Sequence, residues 1–383
     1  MHDLPENQNA EGIMKLNALL NLFATMLIIA SCSAQDWTPL WKSYAAAFMD
    51  NQVRVIDHDA GDRTTSEGQA YAMLFALVAN DRSRFDGLLH WTETNLASGD
   101  LATHLPSWLW GHGPNDKWGV LDSNSASDAD VWMAYTLLQA GKAWNEPHYA
   151  SLGTALAKRI AVEEVVQMPG FGTALLPGAR GFHKGDSYRL NASYVPLQLF
   201  SGLGRELPDG PWQQIAAQIP ALVSGSAPQG FASDWVEFKP GKGFTPSPLG
   251  SYDAIRVYLW AGLLDPATPG RDIMLKALSG MARYLHTNAV PPSKVKSDGS
   301  MQDSKSPVGF SAALLPYVSA LGEKNLEDEQ MSRVRSEFNS KTGLYGNPAK
   351  YYDQNLTLFA LGWKERQFWF DAQGNLKTGW KHD

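Results

Sequence analysis

Between positions 66 and 78 the chain reads SEGQAYAMLFALV, and its apolar residues Tyr71, Leu74, Phe75 and Val78 follow the i, i+3, i+4, i+7 spacing of a helix face. The segments FDGLLHWTETNL (85–96) and VWMAYTLL (131–138) repeat this spacing. Together with further segments of helical pattern, these predict about eleven helices. The further segments lie near 149–165, 194–203, 211–224, 252–264, 271–286, 308–321, 325–338 and 350–362.

Loops rich in Gly and Pro separate the helical segments, for example at 105–119, 168–185 and 238–250. No stretch of the sequence resembles a linker between two domains, so residues 35–383 are predicted to form a single all-α domain. Near the C-terminus, the aromatic run 368–370 is followed by a turn and Leu376, which predicts a small β-hairpin.

The composition excludes some classes of protein and leaves others open. With 383 residues and a formal net charge of −7, the chain offers no basic face to nucleic acid. It contains 14 Trp, 13 Tyr and 15 Phe, which suits either a large core or a groove in which flat rings stack on sugars. Cys32 is the only cysteine in the sequence, so an intrachain disulfide is excluded.

Residues 1–34 are predicted to be a secretory signal. A basic residue precedes an apolar run, 19–30, that is too short for a transmembrane helix, and small residues follow it. The acidic prefix points to Met14 as the true start. Cleavage before Gln35 would give a soluble periplasmic or secreted protein, whereas the lipobox-like context of Cys32 would give a lipoprotein held at a membrane. A buried N-terminal helix is the alternative.

Three acids, Glu67, Asp128 and Asp253, share a local setting just before or within an apolar helical run. Each is expected in the first turn of a helix, where the helix dipole also favours acids that have no catalytic role. If these helices begin at the same end of a barrel, the three carboxylates converge there. A Ser one or two positions before each acid is predicted to cap the helix, namely Ser66, Ser127 and Ser251.

Two carboxyl groups with opposite protonation states are what glycoside hydrolysis requires. A helix N-terminus lowers the pKa of a carboxyl, so Glu67 can donate a proton only if burial or a neighbour such as Asp128 raises its pKa again. The surrounding sequence is rich in residues that bind sugars or orient acids: Gly68, Tyr71, Trp108, Trp110, Trp118, Asn124, Tyr252 and Arg256.

Other kinds of chemistry are not indicated. Asp122, Asp128 and Asp130 lie close together in sequence but lack the spacing and the glycine of a calcium loop. The sequence contains neither the H-E-x-x-H pattern of zinc hydrolases nor the G-x-S-x-G elbow of esterases. Neither a metal ion nor a cofactor is therefore predicted.

Three segments resemble, in the expected order, the motifs of glycoside hydrolase family 8. Residues 126–134 (ASDADVWMA), continued to Trp144, resemble the family signature, with Ala129 where many members have Gly. Residues 65–71 (TSEGQAY) resemble its proton-donor segment. Residues 251–256 resemble its general-base segment. Residues 106–111, 121–125 and 307–312 resemble the subgroup of periplasmic endoglucanases encoded with bacterial cellulose synthase.

The resemblance implies an (α/α)6 barrel and hydrolysis with inversion. It implies that Glu67 is the general acid and that Asp253 is the base that activates water, whereas Asp128 either binds and distorts the sugar or acts as a nucleophile. Tyr252 and Arg256 would position Asp253 and the water. Stacking or binding of the sugar would fall to three aromatic residues, Trp108, Tyr194 and Tyr352.

The sequence thus predicts a monomeric endo-β-1,4-glucanase that cleaves internal bonds of cellulose, with a cellulose synthase complex as a candidate partner. For inversion, its acid and base carboxyls should lie about 6.5–9.5 Å apart. Another β-glycan hydrolase of the same fold, acting on chitosan, lichenan or xylan, is an alternative. A non-catalytic glucan-binding subunit of a cellulose export complex is another, and a helical scaffold without sugar chemistry is a third.

Overall fold

Helices carry most of the chain. The computed structural model describes residues 37–114, 116–303 and 305–380, and the predicted signal with Cys32 lies outside this part. Within it there are thirteen α-helices. They are α1 Trp37–Phe48, α2 Ser66–Val78, α3 Arg82–Leu96, α4 Ser127–Ala143, α5 Pro147–Glu163, α6 Leu197–Glu206, α7 Trp212–Ser226, α8 Ala254–Gly262, α9 Arg271–Ala277, α10 Ser279–Leu285, α11 Val308–Ala320, α12 Lys324–Ser336 and α13 Tyr351–Lys364.

Six helices form an inner ring, because their side chains are buried on nearly every side: α2, α4, α6, α8, α11 and α13. Each packs on the next, from α2 on α4 to α11 on α13. Phe359 of α13 closes the ring against Tyr71 and Phe75 of α2, at 5.0 and 4.8 Å between ring centroids.

An outer layer surrounds this ring. Most of its helices bury one face against the inner helix that adjoins them in the chain: α3 on α2, α5 on α4, α7 on α6, α9 on α8 and α12 on α11, while α1 packs on α13. The predicted all-α class and (α/α)6 barrel are confirmed. Part of their basis is visible in the sequence, since the inner helices α2 and α11 are apolar on nearly every side, whereas outer helices such as α1 and α5 are amphipathic.

Aromatic side chains fill the axis of the barrel. Trp132 of α4 and Trp260 of α8 lie 5.3 Å apart between ring centroids, and both contact Phe359. Both Trp rings are almost completely buried. Much of the high Trp content is therefore core, one of the two interpretations that the composition allowed.

The Gly- and Pro-rich segments contain more structure than the sequence indicated. Six small sheets, all antiparallel, occur in the described residues. Their strands are β1 Thr64–Thr65, β2 Leu109–His112, β3 Trp118–Asp122, β4 Val165–Met168, β5 Gly172–Leu175, β6 His183–Lys184, β7 Ser187–Leu190, β8 Val236–Lys239, β9 Gly243–Pro246, β10 Leu249–Gly250, β11 Lys294–Lys296, β12 Met301–Asp303, β13 Phe338–Asn339, β14 Leu344–Tyr345, β15 Phe368–Phe370 and β16 Leu376–Thr378.

The C-terminal hairpin is confirmed, because β15 pairs with β16. Its turn docks on the barrel, where the Tyr135 hydroxyl donates a hydrogen bond to the Gly374 carbonyl at 2.6 Å. The single helix predicted for 271–286 is wrong in one respect. The chain breaks at Leu278 into α9 and α10, two helices of seven residues each.

Backbone contact between α8 and α11 is the tightest constraint on the inner ring. A Cβ on Gly262 would overlap the backbone of Pro316 and Tyr317. Gly262→Ala should therefore destabilise the protein by about 1–3 kcal/mol through overpacking, offset in part by about 1 kcal/mol of helix propensity. The midpoint of denaturant unfolding measures this change. Gly119→Ala is the control, because a Cβ there meets open space, and equal midpoints for the two variants would contradict the expectation.

Candidate active site

Three inner helices deliver the three predicted acids to one place. Glu67 is the second residue of α2, Asp128 is the second residue of α4, and Asp253 directly precedes α8. All three carboxylates lie within ion-pair distance of Arg256, one turn into α8. The N-terminal ends of these helices therefore meet at one end of the barrel, and the predicted residues assemble into one cluster.

The Arg256 guanidinium is the centre of this cluster. Its Nη2 lies 2.8 Å from Asp253 Oδ1 and 3.7 Å from Asp128 Oδ2, while Nη1 contacts the Glu67 carboxylate. It also donates hydrogen bonds to Ser193 Oγ at 3.1 Å and to the Tyr71 hydroxyl at 3.4 Å. The Arg256 side chain is only 4% exposed, and a buried cation of this kind requires such a set of partners.

The predicted Ser caps are wrong. Thr65 caps α2, because its side chain accepts the Gly68 N–H at 3.1 Å. Residue 126 occupies the cap position of α4 without a side-chain hydrogen bond, and Ser127 is already helical. Both acids of these helices nevertheless remain in the first turn, as predicted.

At α8 the cap comes from elsewhere in the chain. Asp253 itself holds the cap position, and Ser251 does not cap the helix. Asp234, at the start of the segment that leads into β8, accepts the N–H groups of Ser251 and Ala254 at 2.6 and 2.9 Å. Asp234 therefore fixes the backbone on both sides of Asp253, a role that local sequence patterns do not indicate.

Glu67 is held from two directions. The Tyr71 hydroxyl, one turn further along α2, donates a hydrogen bond to its carboxylate at 3.1 Å. On the other side, Gly68 leaves room for the Tyr351 phenol, which a Cβ at that position would overlap. Gly68 thus allows α13 to approach the acid, and the Glu67 side chain stays 20% exposed toward the cleft.

Burial dominates the protonation of the other two acids. It raises the pKa of Asp128 to about 7, against the lowering effect of the Ala129 backbone N–H. It also raises the pKa of Asp253 to about 7, and the charges of Asp234 and Asp128 add to this increase. Removing water from a carboxylate disfavours its charged form, and like charges nearby act in the same direction.

The predicted sugar-binding tyrosines lie around the acids. Tyr194 packs under Arg256, with the guanidinium carbon 5.7 Å from its ring centroid. Tyr352 donates a hydrogen bond to the Tyr252 carbonyl at 2.6 Å, and the two rings meet edge to face at 5.6 Å. Tyr252 is 48% exposed, so its ring is free to contact a ligand beside Asp253.

Trp108 lies next to Glu67. Its carbonyl accepts the N–H of Ser66, the residue before the acid. The Asp122 carboxylate accepts hydrogen bonds from the Asn124 backbone N–H and from the Trp108 indole, and both lower its pKa, the Asn124 bond more strongly. The indole of Trp108 is therefore held in place by Asp122. Trp108 is half-buried, which suits a platform with one open face.

The two other candidate tryptophans extend this wall. Trp110 and Trp118 stack at 5.2 Å between centroids, and the Arg54 guanidinium carbon lies about equally far from both rings, at 5.0 and 5.1 Å. Trp118 is 48% exposed. Asn124 has a structural role instead, since its side chain pairs with the backbone of Arg180 in both directions.

A groove on the far side of Tyr194 escaped the sequence analysis. Trp235 lies 6.0 Å from the Tyr194 ring, stacks on Phe182 at 5.9 Å and carries Arg189 over its face at 4.2 Å. The groove encloses about 580 Å³. Its lining comes from 181–189, 235–237 and 245–248, which are distant from one another in sequence, so local patterns do not indicate it.

Among the described residues, no group of three or more His, Cys, Asp and Glu side chains has the arrangement of a metal site. The cluster consists of three carboxylates around one guanidinium, with aromatic walls on either side. Two carboxyls of unequal environment beside an open cleft are able to act as an acid and a base.

Known proteins share this architecture. The sequence model of the family "Glycosyl hydrolases family 8" matches residues 16–366, which include all three acids. An endoglucanase of Escherichia coli K12 is 43% identical over 95% of this chain and 98% of that protein. One of Xanthomonas axonopodis pv. citri is 42% identical over 94% of both.

Solved structures agree. The crystal structure of an endo-1,4-D-glucanase from Vibrio fischeri ES114 aligns with a TM-score of 0.83 at 40% identity, over 89% of this chain and 99% of that one. An endo-β-1,4-glucanase from Acetobacter xylinum aligns with a TM-score of 0.69 at 26% identity, over 86% and 98%. The chain therefore belongs to family 8 of the glycosyl hydrolases.

Proposed function

We propose that this glycosyl hydrolase cleaves internal β-1,4-glucosidic bonds of amorphous or nascent cellulose with inversion at the anomeric carbon. The chain is an endoglucanase, as are its relatives in name. The observation that carries the mechanism is the convergence of Glu67, Asp128 and Asp253 on one buried guanidinium. A glycosidase needs one protonated and one ionised carboxyl on opposite sides of the scissile bond.

Glu67 is the general acid of this proposal. It is held by Tyr71 and lies beside Trp108, whose ring would stack on the sugar. Contact with Arg256 favours an ionised carboxylate. However, three carboxyls share this one cation, so the cluster carries excess negative charge if all of them ionise. That excess favours retention of one proton within the cluster, and the proposal requires that Glu67 hold it when the leaving oxygen is in place.

Asp253 is the general base. A pKa of about 7 allows it to remove a proton from water near neutral pH. Arg256 and the Asp234 cap hold its carboxylate, and Tyr252 and Tyr352 form the adjoining wall. Asp128 is more deeply buried, only 3% exposed. We assign it to the hydroxyl groups of the sugar at the point of cleavage, where it would hold a distorted ring.

The walls of the cleft suit an internal segment of a polymer. Trp118, Trp110 and Trp108 line one side of the acids, while Tyr194 and Trp235 line the other. Flat rings match the apolar faces of pyranose sugars. A chain bound along both walls would be cut at a bond far from either end.

The setting in the cell belongs to the proposal as well. The predicted signal, 1–34, supports export to the periplasm or beyond, with lipidation of Cys32 as a second route. None of the described helices is both long and apolar enough to span a membrane. We propose that the exported protein acts as a monomer on cellulose during its synthesis, with the cellulose synthase complex as its partner.

The acid and base assignment is tested with residues 35–383 on carboxymethyl cellulose. Glu67→Gln and Asp253→Asn should each lower the release of reducing ends by at least about 100-fold, because each removes one proton-transfer step. Asp272→Asn, which neutralises an acid of α9 that is 93% exposed, serves as control. Full activity in either test variant would refute its role. A wild type that is inactive on carboxymethyl cellulose but cleaves lichenan, xylan or chitosan would instead support another β-glycan hydrolase.

Inversion predicts the configuration of the first product. Direct displacement by water at a β-linkage yields the α-anomer, whereas a covalent intermediate yields the β-anomer. Proton NMR of cello-oligosaccharide hydrolysis, recorded before mutarotation, distinguishes them. Early accumulation of the β-anomer would overturn inversion and return Asp128 to the role of nucleophile.

The pH profile tests the Asp234 cap. An ionised Asp234 raises the pKa of Asp253, so Asp234→Asn should lower that pKa and move the acid limb of kcat/KM to lower pH, where the base is still ionised. Asn retains an oxygen that can accept the same backbone N–H groups. Asp272→Asn removes an equal charge at the surface of α9 and should leave the limb in place. An unmoved limb in Asp234→Asn would exclude electrostatic control by this residue.

A further inference from the structure

A second pair of acids lies beneath the cluster. Asp130 follows Asp128 by two residues in α4, and Glu164 directly follows α5; both are 0% exposed. Both oxygens of Asp130 and Oε2 of Glu164 lack any N–H or O–H partner in the described residues, and the two carboxyls can hydrogen-bond to each other only if one of them holds a proton. The mechanism above uses neither of them, and a first-turn acid that only complemented the helix dipole would have no need of such burial.

This pair lacks a counter-cation. None of the ion pairs in the described part of the chain includes Asp130 or Glu164. The charged groups that act on the pair, Asp128 and Glu163, are both acids, and Glu163 is paired with Arg159. Two adjacent ionised carboxylates without water or a cation are strongly disfavoured, so at least one of them retains a proton.

Hydrogen bonds decide where the proton resides. The Ser125 hydroxyl donates to Glu164 Oε1, and Ser125 Oγ in turn accepts the Ala179 N–H at 3.0 Å. Neither oxygen of Asp130 receives a hydrogen bond from any N–H or O–H group in the described residues. Glu164 is thus the acceptor of the pair, and a protonated Asp130 is the donor to its remaining oxygen, Oε2.

The pair connects the site to the outer layer. Backbone hydrogen bonds join the same elements, from Ser127 N to Pro177 O at 3.0 Å and from Leu176 N to Glu164 O at 2.8 Å. The first turn of α4 is therefore attached to the end of α5 and to the segment after β5. Asp128 lies between Ser127 and Asp130, so this attachment sets the position of its carboxylate.

We propose that Asp130 keeps its proton throughout the working pH range and donates it to Glu164, and that this hydrogen bond positions Asp128 against the sugar. The pair is a positioning device rather than part of the reaction, and the inference rests on the proposed role of Asp128. A neutral Asp130 also keeps a further charge away from Asp128, which otherwise would be harder to ionise. In agreement, burial raises the pKa of Asp130 far above its usual value and that of Glu164 to about 8.

Infrared spectroscopy tests the proton itself and requires no substrate. At about pH 9, above the pKa of about 8 for Glu164 and of about 7 for Asp128 and Asp253, Asp130 should be the last of these acids to stay protonated. The wild type should show a protonated carboxyl C=O band that shifts with isotope-labelled Asp and is absent in Asp130→Asn. Absence of this band in the wild type would overturn the proposal.

Kinetics test the positioning. In Asp130→Asn the amide N–H₂ replaces the acidic proton as donor to Glu164, so kcat should stay near the wild-type value. Asp130→Leu has no donor and should lose kcat about 10- to 100-fold through misplacement of Asp128. Full kcat in Asp130→Leu, or an equal loss in both variants, would overturn the positioning role. If Asp130→Leu does not fold, the infrared band and the activity of Asp130→Asn still decide. Failure of the glucanase proposal would differ, since the wild type would then be inactive with its band intact.

Discussion

The electrostatic imbalance around Arg256 is the constraint on which the site depends. One buried guanidinium lies within ion-pair distance of three carboxylates. If all three were ionised, the cluster would carry a net charge of about −2 in a poorly solvated region, which is costly. Protons relieve this cost, and burial accordingly raises the pKa of Asp128 and Asp253 to about 7. Burial of three acids around one guanidinium thus keeps part of the cluster protonated near neutral pH.

The rigid packing of the barrel keeps these mutually repelling carboxylates together. Inner helices that are buried on nearly every side pack around Trp132, Trp260 and Phe359, so their N-terminal ends are fixed with little freedom. Backbone contacts such as that of Gly262 with α11 leave no room for adjustment. A rigid ring holds groups whose mutual repulsion would otherwise separate them, and side chains on helices are placed more precisely than side chains on loops.

Much of this could be predicted from local sequence, because helical spacing and first-turn acids are local signals. The helical pattern located the inner helices, and Glu67 and Asp128 lie in the first turn as expected. The predicted cap of α2 was wrong by one residue, because Thr65 rather than Ser66 holds the cap position. Asp234 could not be found in this way, since it lies 17 residues from the N–H of Ser251 that it binds. Trp235 was missed for the same reason, and the short strands in the loops depend on partners distant in sequence.

Asp130 illustrates a further limit of sequence patterns. An acid in the first turn of α4 is explained well enough by the helix dipole, which stabilises the ionised form. The structure places that carboxyl against Glu164, away from any cation in the described residues, where ionisation is disfavoured. The same residue type at the same helical position therefore has opposite protonation requirements at the surface and beneath Asp128. Only the tertiary neighbours distinguish the two cases, and here they make the buried acid a hydrogen-bond donor.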